Sequence, residues 1–158
     1  MDEIDLKILG ELQENAQISM AQLAQKVGLS TTPCWRRIRA LEKSGVIAKR
    51  VTLLNRDKLN VGIDVFVAIR TRRHDTAWIE SFSTSTARFP EVVEFYRMSG
   101  EVDYLLRVVV PDIAAYDAFY KRLIEQEDIM DVSSSFAMET IKYTTAIPLQ
   151  YADTNRRG

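Results

Sequence analysis

The chain has 158 residues, 46% hydrophobic and 27% charged, with a formal net charge of −1 and one cysteine. Such a composition excludes disordered and collagen-like architectures, and the length predicts one or two small domains with ordinary cores. Cys34 has no intrachain disulfide partner, the opening MDEIDLKI is acidic where a secretory signal is basic then apolar, and charges interrupt every apolar run short of the roughly 20 residues that span a bilayer; a cytoplasmic protein with no membrane partner is expected.

Residues 1–54 read as three short helices and a wing. Asp2 caps the first, with Asp5 three residues on and Ile4, Ile8 and Leu12 recurring every four positions. Ser19 and Gln22 have capping-box spacing and open a second helix, whose Leu23, Ala24 and Val27 turn inward before Gly28 stops it. Only Gly28, Leu29 and Ser30 precede the third helix, which is helix-turn-helix spacing, with Ser30 as its N-cap and Pro33 in its first turn. Cys34, Ile38 and Leu41 form its buried stripe, and Thr32, Arg36, Arg39 and Lys43 cluster on the opposite side. Trp35 is expected at the edge of the core, and Cys34 as packing rather than a redox sensor. Val46–Leu54, rich in branched residues around Lys49 and Arg50, predicts a two-stranded wing, and 55–62 a linker.

The net charge conceals a local excess. Thr31–Arg50 carries six basic residues against Glu42, a window of +5 that leaves −6 for the rest. A solvated helix face would explain the bias alone, but cap, turn, basic stripe and wing coincide. A helix fits the major groove of double-stranded DNA, so Thr32, Arg36 and Arg39 are expected to read base edges. Ser30 and Thr31, beside free helical N–H groups, suit phosphate, Lys49 and Arg50 suit the DNA backbone, and Arg37 and Lys43 complete the basic surface.

From Ile63 the rhythm changes to β-α-β-β-α-β. Strands are expected at Ile63–Thr71, Val92–Met98, Tyr104–Val110 and Val132–Tyr143, with helices capped by Asp75 and near Asp112. This is the order of a ferredoxin-like domain, placed at 63–151, followed by a patternless tail, 152–158, expected to be mobile. Both faces of the sheet carry apolar residues, Phe136 and Met138 opposite Ala137 and Ile141, so a second copy is expected to cover the face without helices. His74, the sole histidine, lies in a loop without partners for metal binding or acid–base work, and neither metal nor cofactor is expected.

One loop invites a ligand. In the segment Met98, Ser99, Gly100, Glu101, Val102, Asp103, Tyr104, the glycine admits close approach, turn N–H groups suit a carboxylate and Asp103 suits an ammonium group, which together fit a free amino acid. Ser133, Ser134 and Ser135 offer hydroxyls to complete such a pocket. A tight hairpin whose glycine serves geometry alone explains the same residues.

The segments ISMAQLAQKVGLSTTPCWRRIRALEKSGVI, EVVEFYRMSGEVDYLLRVVVPDIAAYDAFYKRLI and VSSSFAMETIKYTTAIPL, in this order, make the chain resemble the Lrp/AsnC family over nearly its whole length. The resemblance implies an α+β protein, a winged helix-turn-helix followed by a ferredoxin-like domain, acting as a sequence-specific transcriptional regulator and not as an enzyme. It further implies an amino-acid effector held at interfaces of the C-terminal domains against the 98–104 hairpin, with Ser133–Ser135 less directly indicated, and homodimers that assemble into octamers. Other classes stay open: a small enzyme or metabolite-binding module, for which no nucleophile–base pair is visible, and an effector-independent DNA compactor.

Overall fold

Asp2 starts helix α1 (Glu3–Glu14) through a reciprocal capping box: its carboxylate accepts from Asp5 N–H while the Asp5 carboxylate accepts from Asp2 N–H. Ser19 and Gln22 repeat the device at α2 (Met20–Val27). Gly28 ends α2 with φ of 73°, the left-handed conformation glycine adopts without a Cβ clash, and the chain turns at once into α3 (Thr31–Lys43). The three helices bury Ile8, Leu23, Ala24, Val27, Cys34, Ile38 and Leu41 in one cluster. The structure is a computed structural model and describes residues 1–73, 75–125 and 128–153; His74 and residues 154–158 of the expected tail lie outside the described residues.

The second cluster belongs to a four-stranded antiparallel sheet. β1 (Ile63–Thr71), β2 (Val92–Arg97), β3 (Tyr104–Val110) and β4 (Ile129–Phe136) lie in the order β2-β3-β1-β4, and α4 (Thr76–Thr86) and α5 (Ile113–Ile124) fill the two crossovers. Alternation along β1 and β3 sends Val65, Val67, Ile69, Tyr104, Leu106, Val108 and Val110 inward against Phe82 of α4 and Phe119 and Leu123 of α5. Asp75 and Asp112 cap these helices by accepting from Trp78 and Ala115 N–H, as their spacing predicts. The expected linker is folded rather than loose: Asp57–Leu59 forms a 3-10 turn, and the Arg56 guanidinium donates to the Val61 carbonyl and to Asp64.

Three expectations are corrected. β4 stops at Phe136 instead of reaching Tyr143, because β1 is its one neighbour and is exhausted once Val65 pairs Phe136 and Ala137 N–H donates to the Asp64 carbonyl. No strand forms at 46–54; Ile47 N–H bonds back to the Leu41 carbonyl, while Val51, Leu53 and Leu54 stay exposed without a second strand to pair. The sheet face opposite the helices is not broadly apolar. Phe136 points toward the helices, edge-on to Tyr116, and the open face instead carries Phe66, Leu105 and Tyr96 around Arg107, which pairs with Asp64 and Glu94.

By contact the described residues form two compact units, 1–53 with 142–153, and 54–141. The last segment therefore joins the helical unit, whereas the sequence placed residues up to 151 with the sheet.

Candidate nucleic-acid interface and effector site

The α3 surface follows from its buried stripe. With Cys34, Ile38 and Leu41 inward, Thr31, Thr32, Trp35, Arg36, Arg39 and Lys43 are exposed. Ser30 occupies the N-cap position but its side chain makes no cap hydrogen bond, so its hydroxyl is not committed to the helix it precedes. Lys49 and Arg50 are also exposed, in irregular chain beyond the helix.

The arginines are not equivalent. Arg36 projects outward with no ion-pair partner among the described residues. Arg37, expected on the DNA-facing surface, is half-buried and bridges Asp5 and Asp2 at 2.8 Å each, tying α3 to the start of α1. Its hydrogen bonds to the Asp5 and then the Asp2 carboxylate hold the guanidinium still more firmly protonated. Arg39 pairs with Glu42 at 3.0 Å and lies 5.5 Å over the Trp35 ring, and Arg50 reaches the other oxygen of Glu42 at 3.2 Å. The lone acid of the basic window thus organises two of its bases. Trp35 is 49% exposed and outside the core cluster, because the guanidinium, not the core, covers its ring. Cys34 is fully buried, and burial pushes its thiol pKa up, which disfavours the reactive thiolate.

The 98–104 hairpin joins β2 to β3. Gly100 has φ of 109°, a conformation that side chains disfavour, and Met98 N–H donates to the Asp103 carbonyl across the turn. Asp103 also works inside the fold: one carboxylate oxygen accepts from Thr71 N–H at 2.8 Å, and its own N–H donates to the Ile69 carbonyl. Met98, Ser99, Gly100 and Glu101 are exposed and Val102 half-buried. Tyr104 is a core residue, 3% exposed among Trp78, Phe82 and Phe95, so its ring is withheld from the loop surface.

The three serines divide by the period of the strand. Ser134 faces the helices and hydrogen-bonds Tyr116, while Ser133 and Ser135 pair opposite Ala68 and Phe66 on the open face. They lie on β4, across β1 from β3, so about 10 Å, two interstrand spacings, separates them from the hairpin strand. Within one chain the hairpin and the serines do not converge on a single pocket. Sequence spacing does not reveal the partners that set this geometry, Glu42 for Arg39 and Arg50, and Thr71 for Asp103. The capping box Asp2–Asp5 was visible, but not that both carboxylates would also hold Arg37.

Comparison with known proteins adds family and fold. Residues 64–147 match the model for the Lrp/AsnC ligand binding domain, and residues 1–48 that for winged helix-turn-helix DNA-binding. The chain is 46% identical to the DNA-binding transcriptional activator DecR of Escherichia coli over 95% of this chain and 99% of that protein. Among solved structures, an AsnC family transcriptional regulator from Agrobacterium tumefaciens is 63% identical with a TM-score of 0.93, covering 96% of this chain and 99% of that one. A transcriptional regulator from Neisseria meningitidis in complex with L-methionine is 34% identical with a TM-score of 0.91, covering 95% and 97%.

Proposed function

The chain belongs to the Lrp/AsnC family of transcriptional regulators, with a winged helix-turn-helix and an effector-binding domain, and on that premise we propose how its own residues divide the work. The outward face of α3 enters the major groove. Arg36, exposed and unpaired among the described residues, makes a forked contact to guanine, with Thr32 and Arg39 beside it. Ser30, Thr31, Lys43, Lys49 and Arg50 neutralise phosphates, and Arg37 holds α3 in place instead of touching DNA. The exposed basic face of α3 is the single observation that carries this reading.

The effector is a free amino acid. A relative with a TM-score of 0.91 is described with L-methionine, and the hairpin offers exposed Met98, Ser99 and Glu101 around Gly100, whose positive φ suits glycine. Ser133 and Ser135 lie on the open sheet face, so they complete the pocket only from another copy. Exposed Met138, Ile141 and Tyr143, with Val51, Leu53 and Leu54 in the unpaired wing, give the chain apolar surface to cover by forming a dimer, and dimers pair further into an octamer. Effector binding at those boundaries favours one assembly over another, and so changes how the reading heads meet DNA.

The test is binding of operator and random duplexes at fixed salt. Arg36→Ala should weaken operator binding by roughly 1–3 kcal/mol and spare random DNA, whereas Lys49→Ala should weaken both about equally. Equal losses for both variants on both duplexes would favour an architectural DNA binder without base readout.

A further inference from the structure

We infer that the C-terminal segment 142–153 is a strap that completes the DNA-binding head and gives it a second attachment to the effector-binding domain, besides the chain at 54–62. Gln13 on α1 engages both backbone groups of Ile147: its Nε2 donates to the Ile147 carbonyl at 3.3 Å, and its Oε1 accepts from the Ile147 N–H at 2.9 Å. One side-chain amide thereby supplies the exchange that a neighbouring strand would make. Pro148 then leads into the 3-10 turn Leu149–Tyr151, from which Leu149 packs on the core of the head.

Leu149 rests against α1 at a glycine. Gly10 sits in the middle of α1, where glycine weakens a helix and where no positive φ demands it. The Leu149 Cδ1 stands 3.9 Å from the point a Gly10 Cβ would occupy, and nothing else outside α1 comes within 4 Å of that point. The seat is also incompletely filled. A cavity of about 670 Å³ remains among Leu9, Arg37, Leu41, Val46 and Ile147, and Ile147 is 67% exposed. Gln13 and the packing of Leu149 fasten the strap, while every buried residue of the head's core lies on α1–α3, so the strap can detach without unfolding the head.

Docked, the strap ties the head to the sheet domain at both ends of residues 54–141; detached, it leaves the head on one connection. This builds on the reading that the effector domain signals to the head, since two attachments transmit a displacement that one flexible attachment absorbs.

Hydrogen exchange on the full chain tests it, with Gln13→Ala and Gly10→Leu. Leucine strengthens α1 while its side chain occupies the seat, which separates loss of the strap from loss of the helix. The Ile147 amide should be protected in the unaltered chain and exchange about tenfold faster or more in both variants, with Ile38 and Leu41 amides still protected. In a Trp78→Phe background, Trp35 reports on the head alone, and its anisotropy decay should gain a faster component when the strap is freed. An unprotected Ile147 amide in the unaltered chain, unchanged exchange in Gly10→Leu, or an unchanged Trp35 decay after release would each overturn the proposal. None of these readouts uses DNA or effector, so they stand apart from the operator assay.

Discussion

Arg36, Arg37 and Arg39 lie within one turn of α3, and their neighbours decide what each can do. Arg37 falls toward α1, where two carboxylates wait, while Arg39 is drawn back by Glu42 and Trp35. Asp2 serves twice, as cap acceptor for Asp5 N–H and as partner of Arg37. The Asp5 backbone hydrogen bond and then Arg37 hold its carboxyl below the ordinary carboxylate range. A carboxyl depressed in the folded state adds stability that is present above its unfolded pKa and lost as pH falls through the folded value. The melting temperature of the head should therefore fall as pH drops below about 4, and Asp2→Asn should lose part of that acid sensitivity; a melting curve against pH identical to the parent's would contradict this. The effect is expected to be modest, since Asp2 is half exposed and solvent screens the pair.

At the scale of elements, a helix or strand appears where local signals and an available partner agree. The turn between α2 and α3 depends on Gly28: its N–H bonds back to Ala24 and Gln25, and Leu29 N–H reaches the Ala24 carbonyl. Open space surrounds its missing Cβ, so Gly28→Ala should cost about 1–2 kcal/mol through backbone strain alone, read as a lower denaturation midpoint of the head. A loss near zero would mean that the turn relaxes out of the left-handed region. The wing and the end of β4 show the opposite case. Their residues carry strand composition, yet 46–54 has no second strand beside it and 137–141 has outrun β1. Composition states a preference for pairing, and only a neighbour with free backbone groups realises it.

At the scale of the whole molecule, exposed Met138, Ile141 and Tyr143 and the unpaired wing make a lone chain incomplete. Sedimentation at micromolar concentration should give a dimer or larger assembly, and a panel of free amino acids should shift either that distribution or operator binding. Footprints should repeat at about one helical turn, 34–36 Å, for each dimer. A monomer indifferent to every amino acid would remove the oligomeric and effector readings together. The sequence alone determined the caps at Asp2, Ser19, Asp75 and Asp112, the left-handed Gly28, the inward stripe of α3 and the order β-α-β-β-α-β, because each depends on residues a few positions apart. Tertiary structure decided what depends on distant groups: that Asp2 and Asp5 take Arg37 off the outer face, that Thr71 occupies Asp103, that Tyr104 belongs to the core, and that Leu149 finds its seat on α1 at Gly10. Side chains far apart in the chain compete for the same partners, and that competition is settled only when folding brings them together.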